Sequence, residues 1–384
     1  MRKAPFFSII IPCYNQSDWL KQCVSTITHQ SFSDWEIIIV NDGSTDQTAQ
    51  VADLFALNDE RIQVIHQNNQ GLSAARNTGI NQAKGTWLQF HDSDDYLLNH
   101  CLKRVFSFIE SKPDIQFVQV GHDLVDDKNQ LIQHNELKDD NGSFWPIVKK
   151  GNPGPPLSFF SHRNLINRVG FFDTSLNSVE DWDFWIRVGK LGITRFVIKS
   201  CLVAYRYTPQ SMSRNPWRMY ENNVSVIERI GMKDQRISDG MENQEDKLYD
   251  LRQFIKIRLI QSLGLCIMQG NVEDALERFR KEGRHYHFEF TPADFRQMNS
   301  YMTFKNLVRK SEVKEVLQAY PKLFSTFFSK TYFTTAFQEA ALLHVFIPHQ
   351  KKQNHFNFGL LGKLKNLRLD NKRRDCARYI EKGY

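Results

Sequence analysis

The chain has 384 residues, of which 41% are hydrophobic and 24% charged, with a net charge of +7. This length and composition are typical of a soluble globular protein, and we expect one α/β domain with an extension. No apolar run is long enough to cross a bilayer, and the apolar start of the chain lacks a secretory cleavage site. The six cysteines form no CxxC pair, which argues against a disulfide framework or a zinc cluster and favours the cytoplasm.

Four apolar runs in the first hundred residues alternate with helical patterns. The runs are FFSIIIP, EIIIV, RIQVIH and TWLQF. Strands separated by helices predict a mainly parallel, Rossmann-like sheet flanked by helices. Ligands bind such sheets beyond the carboxyl ends of the strands. Three unusual polar stretches follow those ends, PCYN, NDGSTD and HDSDD, which predicts a ligand site at this edge.

The rest of the chain predicts three further features. Residues 122–156 are polar and rich in turn formers, which indicates a hairpin and a mobile loop that frame the site. Two short strands near ITRFVI and LVAYRY are expected to close the α/β domain, residues 1–214. Residues 215–350 show helical spacing and predict a helical extension that packs on itself, with ligand holding or oligomer formation as the alternative.

The positive charge is concentrated in residues 351–384. This segment contains ten Lys or Arg and three Asp or Glu, which accounts for the whole net charge of the chain. A basic tail disfavours a broad nucleic-acid-binding face and favours an anionic partner, such as lipid head groups at the inner face of the cytoplasmic membrane. A helix there would place Leu360, Leu361, Leu364 and Leu367 on one side with basic residues around them, as in an interfacial helix, and docking on the protein itself is the alternative.

The stretch HDSDDYL places Asp92, Asp94 and Asp95 within four positions. In extended backbone Asp92 and Asp94 leave the chain on the same side. Two carboxylates about 4 Å apart repel by roughly 4 kcal/mol at an effective dielectric near 20. A divalent cation such as Mn²⁺ or Mg²⁺ would offset this repulsion and keep positions open for phosphate oxygens. The alternative is a solvated acidic turn in which Asp95 or Asn99 caps the next helix.

A second acidic residue, Asp42, is expected at the tip of the second predicted strand, where its carboxylate is left free because Ser44 and Gln47 form a capping pair for the next helix. Its carboxylate can accept a hydrogen bond from a ring N–H of a nucleotide base, and a structural role in the turn is the alternative. Gly71 predicts a tight turn before a helix that carries Arg76, and this arginine is suited to pairing with Asp42 or a phosphate. An ordinary surface ion pair is the alternative for Arg76.

Five motifs in this order resemble the nucleotide-sugar glycosyltransferases of family 2, of the bacterial polysaccharide type. They are SIIIPCYN, IIIVNDGSTD, GLSAARNTGI, LQFHDSDDYL and VEDWDFWIRV, and the resemblance covers roughly residues 6–207. It implies the GT-A fold and transfer of a sugar, with inversion and with a metal ion, from a UDP-sugar to a glycan or lipid-linked saccharide.

The resemblance also implies roles for individual residues. The turn that contains Pro12, Tyr14 and Asn15 would hold the uracil together with Asp42. Asp92 would lie near the ribose. Asp94 would bind the metal on the diphosphate of the donor, and Asp95 is a further candidate there.

Inversion needs a carboxylate that takes the proton of the acceptor hydroxyl. Helical spacing places Asp181 on the apolar face of its helix, whereas Asp183 is expected to form an exposed i,i+4 pair with Arg187. Partial desolvation would raise the pKa of Asp181 toward that of a useful base. The resemblance implies the same base, with Glu180 placing the acceptor. Stabilisation at the helix N-terminus is the alternative role for Glu180.

Several other residues are candidates for the acceptor or the diphosphate. Trp182 is placed to stack on an acceptor sugar, whereas Trp185 is expected in the core. The stretch YRYTPQSMSRN matches the family region that closes over the diphosphate, and its candidates are Arg206, Ser211, Ser213 and Arg214.

The sequence disfavours two other function classes. A sugar-nucleotide pyrophosphorylase would need a glycine-rich triphosphate loop after the first strand, and the sequence has none there. A nucleotide-sugar-binding protein without catalysis is disfavoured because both Asp94 and Asp181 are present.

Overall fold

The computed structural model describes residues 4–112, 114–138, 140–208, 211–237, 251–299 and 322–346. The strands are β1 (Phe7–Cys13), β2 (Trp35–Asp42), β3 (Ile62–Gln67), β4 (Trp87–Phe90), β5 (Tyr96–Leu97), β6 (Phe117–Val125), β7 (Leu131–Asn135), β8 (Gly142–Ser143), β9 (Phe159–His162) and β10 (Thr194–Arg206). The helices are α1 (Ser17–Thr28), α2 (Thr48–Asn58), α3 (Leu72–Gln82), α4 (Cys101–Glu110), α5 (Trp145–Val148), α6 (Arg163–Val169), α7 (Glu180–Lys190), α8 (Pro216–Ile230), α9 (Leu251–Met268), α10 (Val272–His285), α11 (322–329) and α12 (Thr335–Phe346).

The strands form one mixed, mostly parallel sheet in the order β3-β2-β1-β4-β9-β6-β10-β5. Strands β3, β2, β1 and β4 are parallel neighbours, as are β6 and β10, while β9 runs antiparallel to both β4 and β6. This confirms the predicted α/β architecture. Because β1, β2 and β4 are parallel neighbours, their carboxyl ends meet at one edge of the sheet, and so do the loops that follow them.

Strand β1 is buried along its whole length, which explains its continuous apolar run. Helix α3 packs against it at Gly79, where an added Cβ would lie 2.3 Å from Ile10 Cγ2. A side chain at this position would separate the helix from the strand. The close approach holds α3 against β1.

The two short strands expected near residues 193–207 are a single strand, β10. The register between β10 and β6 shifts between Ile198 and Cys201 and again between Cys201 and Val203. A bulge of this kind inserts unpaired residues without ending the strand. Polar Lys199 and Ser200 occupy the irregular part, which is why the sequence pattern looked interrupted there.

The chain divides into two compact units, Met1–Met212 with Glu228–Tyr249, and Ser213–Ile227 with Asp250–Tyr384. In the described part of the second unit the regular elements are helical, and Ile255, Leu259 and Leu263 of α9 are buried. No helix within the described ranges combines the length and apolar character of a membrane span. The basic segment 351–384 lies outside the described residues.

Candidate active site

The loops after β1 and β2 are tied together by Asn15. Its side-chain oxygen accepts a hydrogen bond from the Thr45 N–H at 2.8 Å, and its own N–H donates to Ser44 Oγ at 3.0 Å. Asn15 adopts a left-handed φ of 52°, which asparagine tolerates better than most residues. Asn15 therefore shapes the predicted uracil site. Tyr14 beside it is 48% exposed, so its ring is available to a base.

Pro12 is the buried residue of this turn. It lies within β1, opposite Val40 of β2. From this buried position Pro12 would direct the backbone toward Tyr14 and would not itself contact a base.

Asp42 organises the loop before α3. One carboxylate oxygen accepts hydrogen bonds from Gln67 Nε2 at 2.7 Å and from the Gln70 N–H at 2.9 Å, and the other accepts from the Gly71 N–H at 2.8 Å. The sequence had suggested a carboxylate left free at the strand tip. Three donors already surround it, and a carboxylate has about four acceptor positions. Any contact with a base would use the remaining one.

Arg76 is a buried bridge, contrary to the surface pair or the Asp42 pair considered from the sequence. Its side chain is 1% exposed, with Nη2 2.6 Å from Asp92 Oδ1 and Nη1 2.5 Å from Glu180 Oε1. These contacts join α3, the end of β4 and the start of α7. Since both outer nitrogens bind carboxylates, the structure favours a positioning role for Arg76 over a direct phosphate contact.

The three neighbouring aspartates have different surroundings. Asp92 pairs with Arg76, and Asp95 is buried with Oδ1 accepting from the Arg206 N–H at 2.7 Å. Asp94 receives no hydrogen bond from another side chain among the described residues. Burial and the charge of Asp92 raise the pKa of Asp94 to about 6. Among the described residues, therefore, Asp92 is paired with a guanidinium group, whereas neither Asp94 nor Asp95 forms an ion pair with a lysine or arginine.

The structure argues against a solvated acidic turn. Helix α4 begins at Cys101 with His100, not Asp95 or Asn99, at the preceding position. Asp95 is 1% exposed, and its Oδ2 has no hydrogen-bond partner within the described part of the chain. Asp95 Oδ2 is thus a buried oxygen without a hydrogen-bond partner, and it lies beside the carboxylate of Asp94. Carboxylate oxygens placed in this way are suitable ligands for a hard divalent cation. The residues present therefore fit Mn²⁺ or Mg²⁺.

Arg206 is 2% exposed and donates hydrogen bonds to the loop that contains the three aspartates and to neighbouring loops. Its Nε donates to the carbonyl of Asp94 at 2.7 Å, Nη1 to the carbonyl of Asp126 at 3.0 Å and Nη2 to Gln22 Oε1 at 2.9 Å. The guanidinium also lies 4.1 Å above the ring of Trp19. The diphosphate contact expected for Arg206 is not supported, because each guanidinium nitrogen already donates to the protein.

The remaining diphosphate candidates lie at the division between the compact units. Ser211 belongs to the first unit, and Ser213 and Arg214 belong to the second. A contact between these residues and a donor diphosphate stays a prediction.

Asp181 is the one residue of α7 whose side chain is not fully buried. Its Oδ1 accepts from the Trp182 N–H and its Oδ2 from Asn152 Nδ2, both at 2.7 Å. Burial and the negative charge of Glu180 raise the pKa of Asp181 to about 7. Val179, just before the helix, adopts a left-handed φ of 54°, which costs a branched residue about 1–2 kcal/mol. This strained residue lies two positions before Asp181, in the turn that begins α7.

Asp183 has the opposite environment, and the expectation of an exposed pair was wrong. The pair with Arg187 exists at 3.2 Å, but the two side chains are 1% and 0% exposed. Arg229 and Arg236 also contact Asp183, at 2.7 and 3.0 Å. Three guanidinium groups leave this carboxylate neutralised and inaccessible, so Asp183 is a structural residue.

Trp182 does not face an acceptor, so the expected stacking on a sugar was wrong. The side chain is fully buried, and its Nε1 donates to the carbonyl of Val148 at 2.8 Å. Trp185 is buried as expected, with its ring 4.4 Å from that of Phe159.

Replacing Trp182 with alanine should therefore lower the free energy of unfolding by about 3–5 kcal/mol, because a large buried side chain is removed. Chemical denaturation measures this loss, and Leu57→Ala, at a residue 83% exposed on α2, is the control. A variant as stable as the parent would contradict the buried position.

Asn152 was not predicted, although it contacts the candidate base. It lies between two anchored points of the loop after α5. Trp182 binds the carbonyl of Val148, and Gln119 Nε2 donates to the carbonyl of Pro153 at 3.0 Å. In the stretch GNPGPP, Asn152 is the only residue with a polar side chain. A single polar side chain among glycines and prolines is the sequence signal that could have identified Asn152 as a site residue.

The comparisons with known proteins agree on one family. Residues 8–175 match the model of glycosyl transferase family 2. The glycosyltransferase EpsJ of Bacillus subtilis is 46% identical over 231 residues, 56% of this chain and 64% of EpsJ. The glycosyltransferase EpsH of Bacillus subtilis is 42% identical over 277 residues, 69% of this chain and 77% of EpsH.

Solved structures show the same fold. The chain is similar to S. aureus TarS 1-349, with a TM-score of 0.52 and 19% identity over 85% of this chain and 93% of that one. The complex of TarS 1-349 with UDP-GlcNAc gives a TM-score of 0.50 and 16% identity over 88% of this chain and 90% of that one.

Proposed function

Because the chain belongs to glycosyltransferase family 2, we propose that it transfers a sugar, with inversion, from a UDP-sugar to a hydroxyl group of a glycan or lipid-linked saccharide. The reaction would use Mn²⁺ or Mg²⁺ and serve the synthesis of a bacterial cell-surface polysaccharide. The TarS complex supports a uridine nucleotide, since TarS has a similar fold and was crystallised with UDP-GlcNAc. Association of residues 351–384 with an anionic membrane stays a prediction from composition.

The observation that carries this proposal is the contrast between Asp181 and Asp183. Both lie at the start of α7, but Asp183 is buried among guanidinium groups and Asp181 reaches the surface. A base needs an accessible oxygen and a pKa near the working pH. Asp181 has both, because desolvation raises its pKa to about 7. It would take the proton of the acceptor hydroxyl as that oxygen attacks the anomeric carbon.

The nucleotide-sugar donor would be bound by residues of the loops after β1 and β4. Tyr14 would stack on the uracil, and Asp92 would lie near the ribose. Asp94 would hold the cation, which when bound neutralises the charge of the leaving diphosphate. Arg76 binds both Asp92 and Glu180. It would therefore hold the residues that bind the donor at a fixed distance from those that bind the acceptor.

The direct test is donor hydrolysis in the absence of an acceptor. The protein is incubated with Mn²⁺ and a panel of UDP-sugars, and release of UDP is recorded. We expect one UDP-sugar to be hydrolysed slowly, and EDTA to stop the reaction. Equal background release from every donor, with and without the metal, would contradict the proposal.

Asn152 should set the pH at which the base works. The side-chain Nδ2–H of Asn152 donates to Asp181, which stabilises the ionised carboxylate and so lowers the pKa of Asp181. Asn152→Ala should raise this pKa by roughly one unit, since a hydrogen bond to a charged group is worth about 1.5 kcal/mol and one pKa unit is 1.36 kcal/mol. The acidic limb of the pH–rate profile should move to higher pH, with activity recovering in alkali.

The groups that face Asp181 are Glu180 on its own helix, Arg76 of α3 and Tyr205 of β10, and Asn152→Ala leaves them in place. Asn58→Ala, at an exposed position of α2, should leave the profile unchanged. If Asn152→Ala lowers the rate equally at every pH, Asn152 does not tune the base.

A further inference from the structure

A second group of chemically reactive side chains lies outside the candidate active site. Asp123 of β6, His134 of β7 and Cys201 of β10 each offer one ligand atom, and these three atoms lie within 4.8 Å of one another. Asp123 Oδ1 is 2.7 Å from His134 Nδ1. Among the described residues this is the one such group of three.

The backbone brings these residues together from three strands. Asp123 and His134 are opposite each other in the antiparallel pair of β6 and β7. Cys201 is opposite Gly121 of β6, at the register shift of β10. A Cβ at Gly121 would lie 2.8 Å from the Lys199 carbonyl oxygen, so the glycine permits this close approach of the strands. The bulge of β10 thus places a thiol beside the Asp–His pair.

The ligand types match one metal best. A carboxylate, an imidazole and a thiolate are the groups that bind Zn²⁺, at about 2.0–2.3 Å. In a tetrahedral zinc site the ligand atoms lie roughly 3.5 Å from one another. The three atoms here lie within 4.8 Å of one another, so small side-chain rotations would bring them to that spacing. Mg²⁺ and Mn²⁺ prefer oxygen ligands, and the thiol disfavours them here.

The cluster is open to solvent on one side. The His134 side chain is 62% exposed and that of Asp123 is 14% exposed. An ion can therefore enter without unfolding the sheet. Three protein ligands would leave one position for water.

We propose that Asp123, His134 and Cys201 bind one Zn²⁺ ion, which fastens the β6–β7 hairpin to β10. The absence of CxxC spacing had argued against a zinc cluster. That pattern detects ligands from one loop, whereas these come from positions up to 78 residues apart on three strands.

The test uses the full chain after removal of metals by a chelator. Excess Mg²⁺ is added to occupy oxygen-ligand sites, and Zn²⁺ is titrated against a chromophoric competitor. We expect one equivalent of tight binding, with at least tenfold weaker binding in Cys201→Ser and His134→Gln. Co²⁺ should give a thiolate charge-transfer absorption in the parent that Cys201→Ser lacks.

The chain offers a matched control. His66 and Asp53 form another exposed pair, with Nε2 and Oδ1 3.0 Å apart, and they belong to no three-ligand group among the described residues. His66→Gln should therefore bind Zn²⁺ as the parent does. Because His134 is exposed, His134→Gln should fold even if Cys201→Ser does not. Unchanged Zn²⁺ affinity in His134→Gln, or no stoichiometric binding by the parent, would overturn the proposal.

Discussion

Replacing Asp181 with asparagine is expected to remove sugar transfer and leave donor binding intact. Asparagine keeps the shape of the side chain but cannot accept the proton of the acceptor hydroxyl. General-base catalysis contributes about 10²- to 10⁴-fold, so kcat should fall by this order. Turnover of a UDP-sugar and the Kd for UDP with Mn²⁺ measure the two effects separately.

Asp183→Asn is the matched control on the same helix. Asp183 contacts Arg187, Arg229 and Arg236 in a buried network. Breaking such a network by removing one charge costs about 3–5 kcal/mol of stability. We expect this variant to unfold more easily while its folded fraction keeps turning over. Equal turnover by Asp181→Asn and the parent would refute the assignment of the base.

Replacing Asp94 with alanine is expected to abolish the metal dependence of UDP binding. Among the described residues no lysine or arginine pairs with the Asp94 carboxylate, and burial together with the charge of Asp92 raises its pKa to about 6. Loss of a charged contact of about 1.5–3 kcal/mol weakens binding roughly 10- to 100-fold. Calorimetric titration of UDP with Mn²⁺ and with EDTA measures the effect.

The parent should bind UDP more weakly in EDTA, and Asp94→Ala should bind it equally weakly in both conditions. Asp18→Ala, at an exposed position of α1, should behave as the parent. The account of Asp94 is wrong if Asp94→Ala retains a Mn²⁺-dependent affinity equal to that of the parent.

The parallel half of the sheet could be predicted because its strands are buried on both faces. β1 and β2 read as continuous apolar runs between helical patterns. β10 could not be predicted as one strand, because its register shifts around Cys201 and its irregular part contains Lys199 and Ser200. Periodicity describes regular strands and gives no sign of a bulge that keeps the strand continuous.

The site could be predicted only in part, because helical spacing gives the face of a residue and not its depth. Within α7 every residue except Asp181 is buried, so a polar face could not be told from an apolar one. Asp183 and Trp182 were therefore assigned to the surface and are inside. The pairing of Arg76 with Glu180 joins positions 104 residues apart, and no local pattern contains such a contact.

The central claim is that the aspartates after β4 hold a cation that carries the diphosphate of a nucleotide sugar. A crystal of the protein grown with UDP and Mn²⁺, measured at the manganese absorption edge, tests it most directly. The account predicts an anomalous peak within bonding distance of Asp94 and of the diphosphate oxygens. A bound UDP with no manganese beside Asp94, or with Asp94 turned away from the diphosphate, would contradict it.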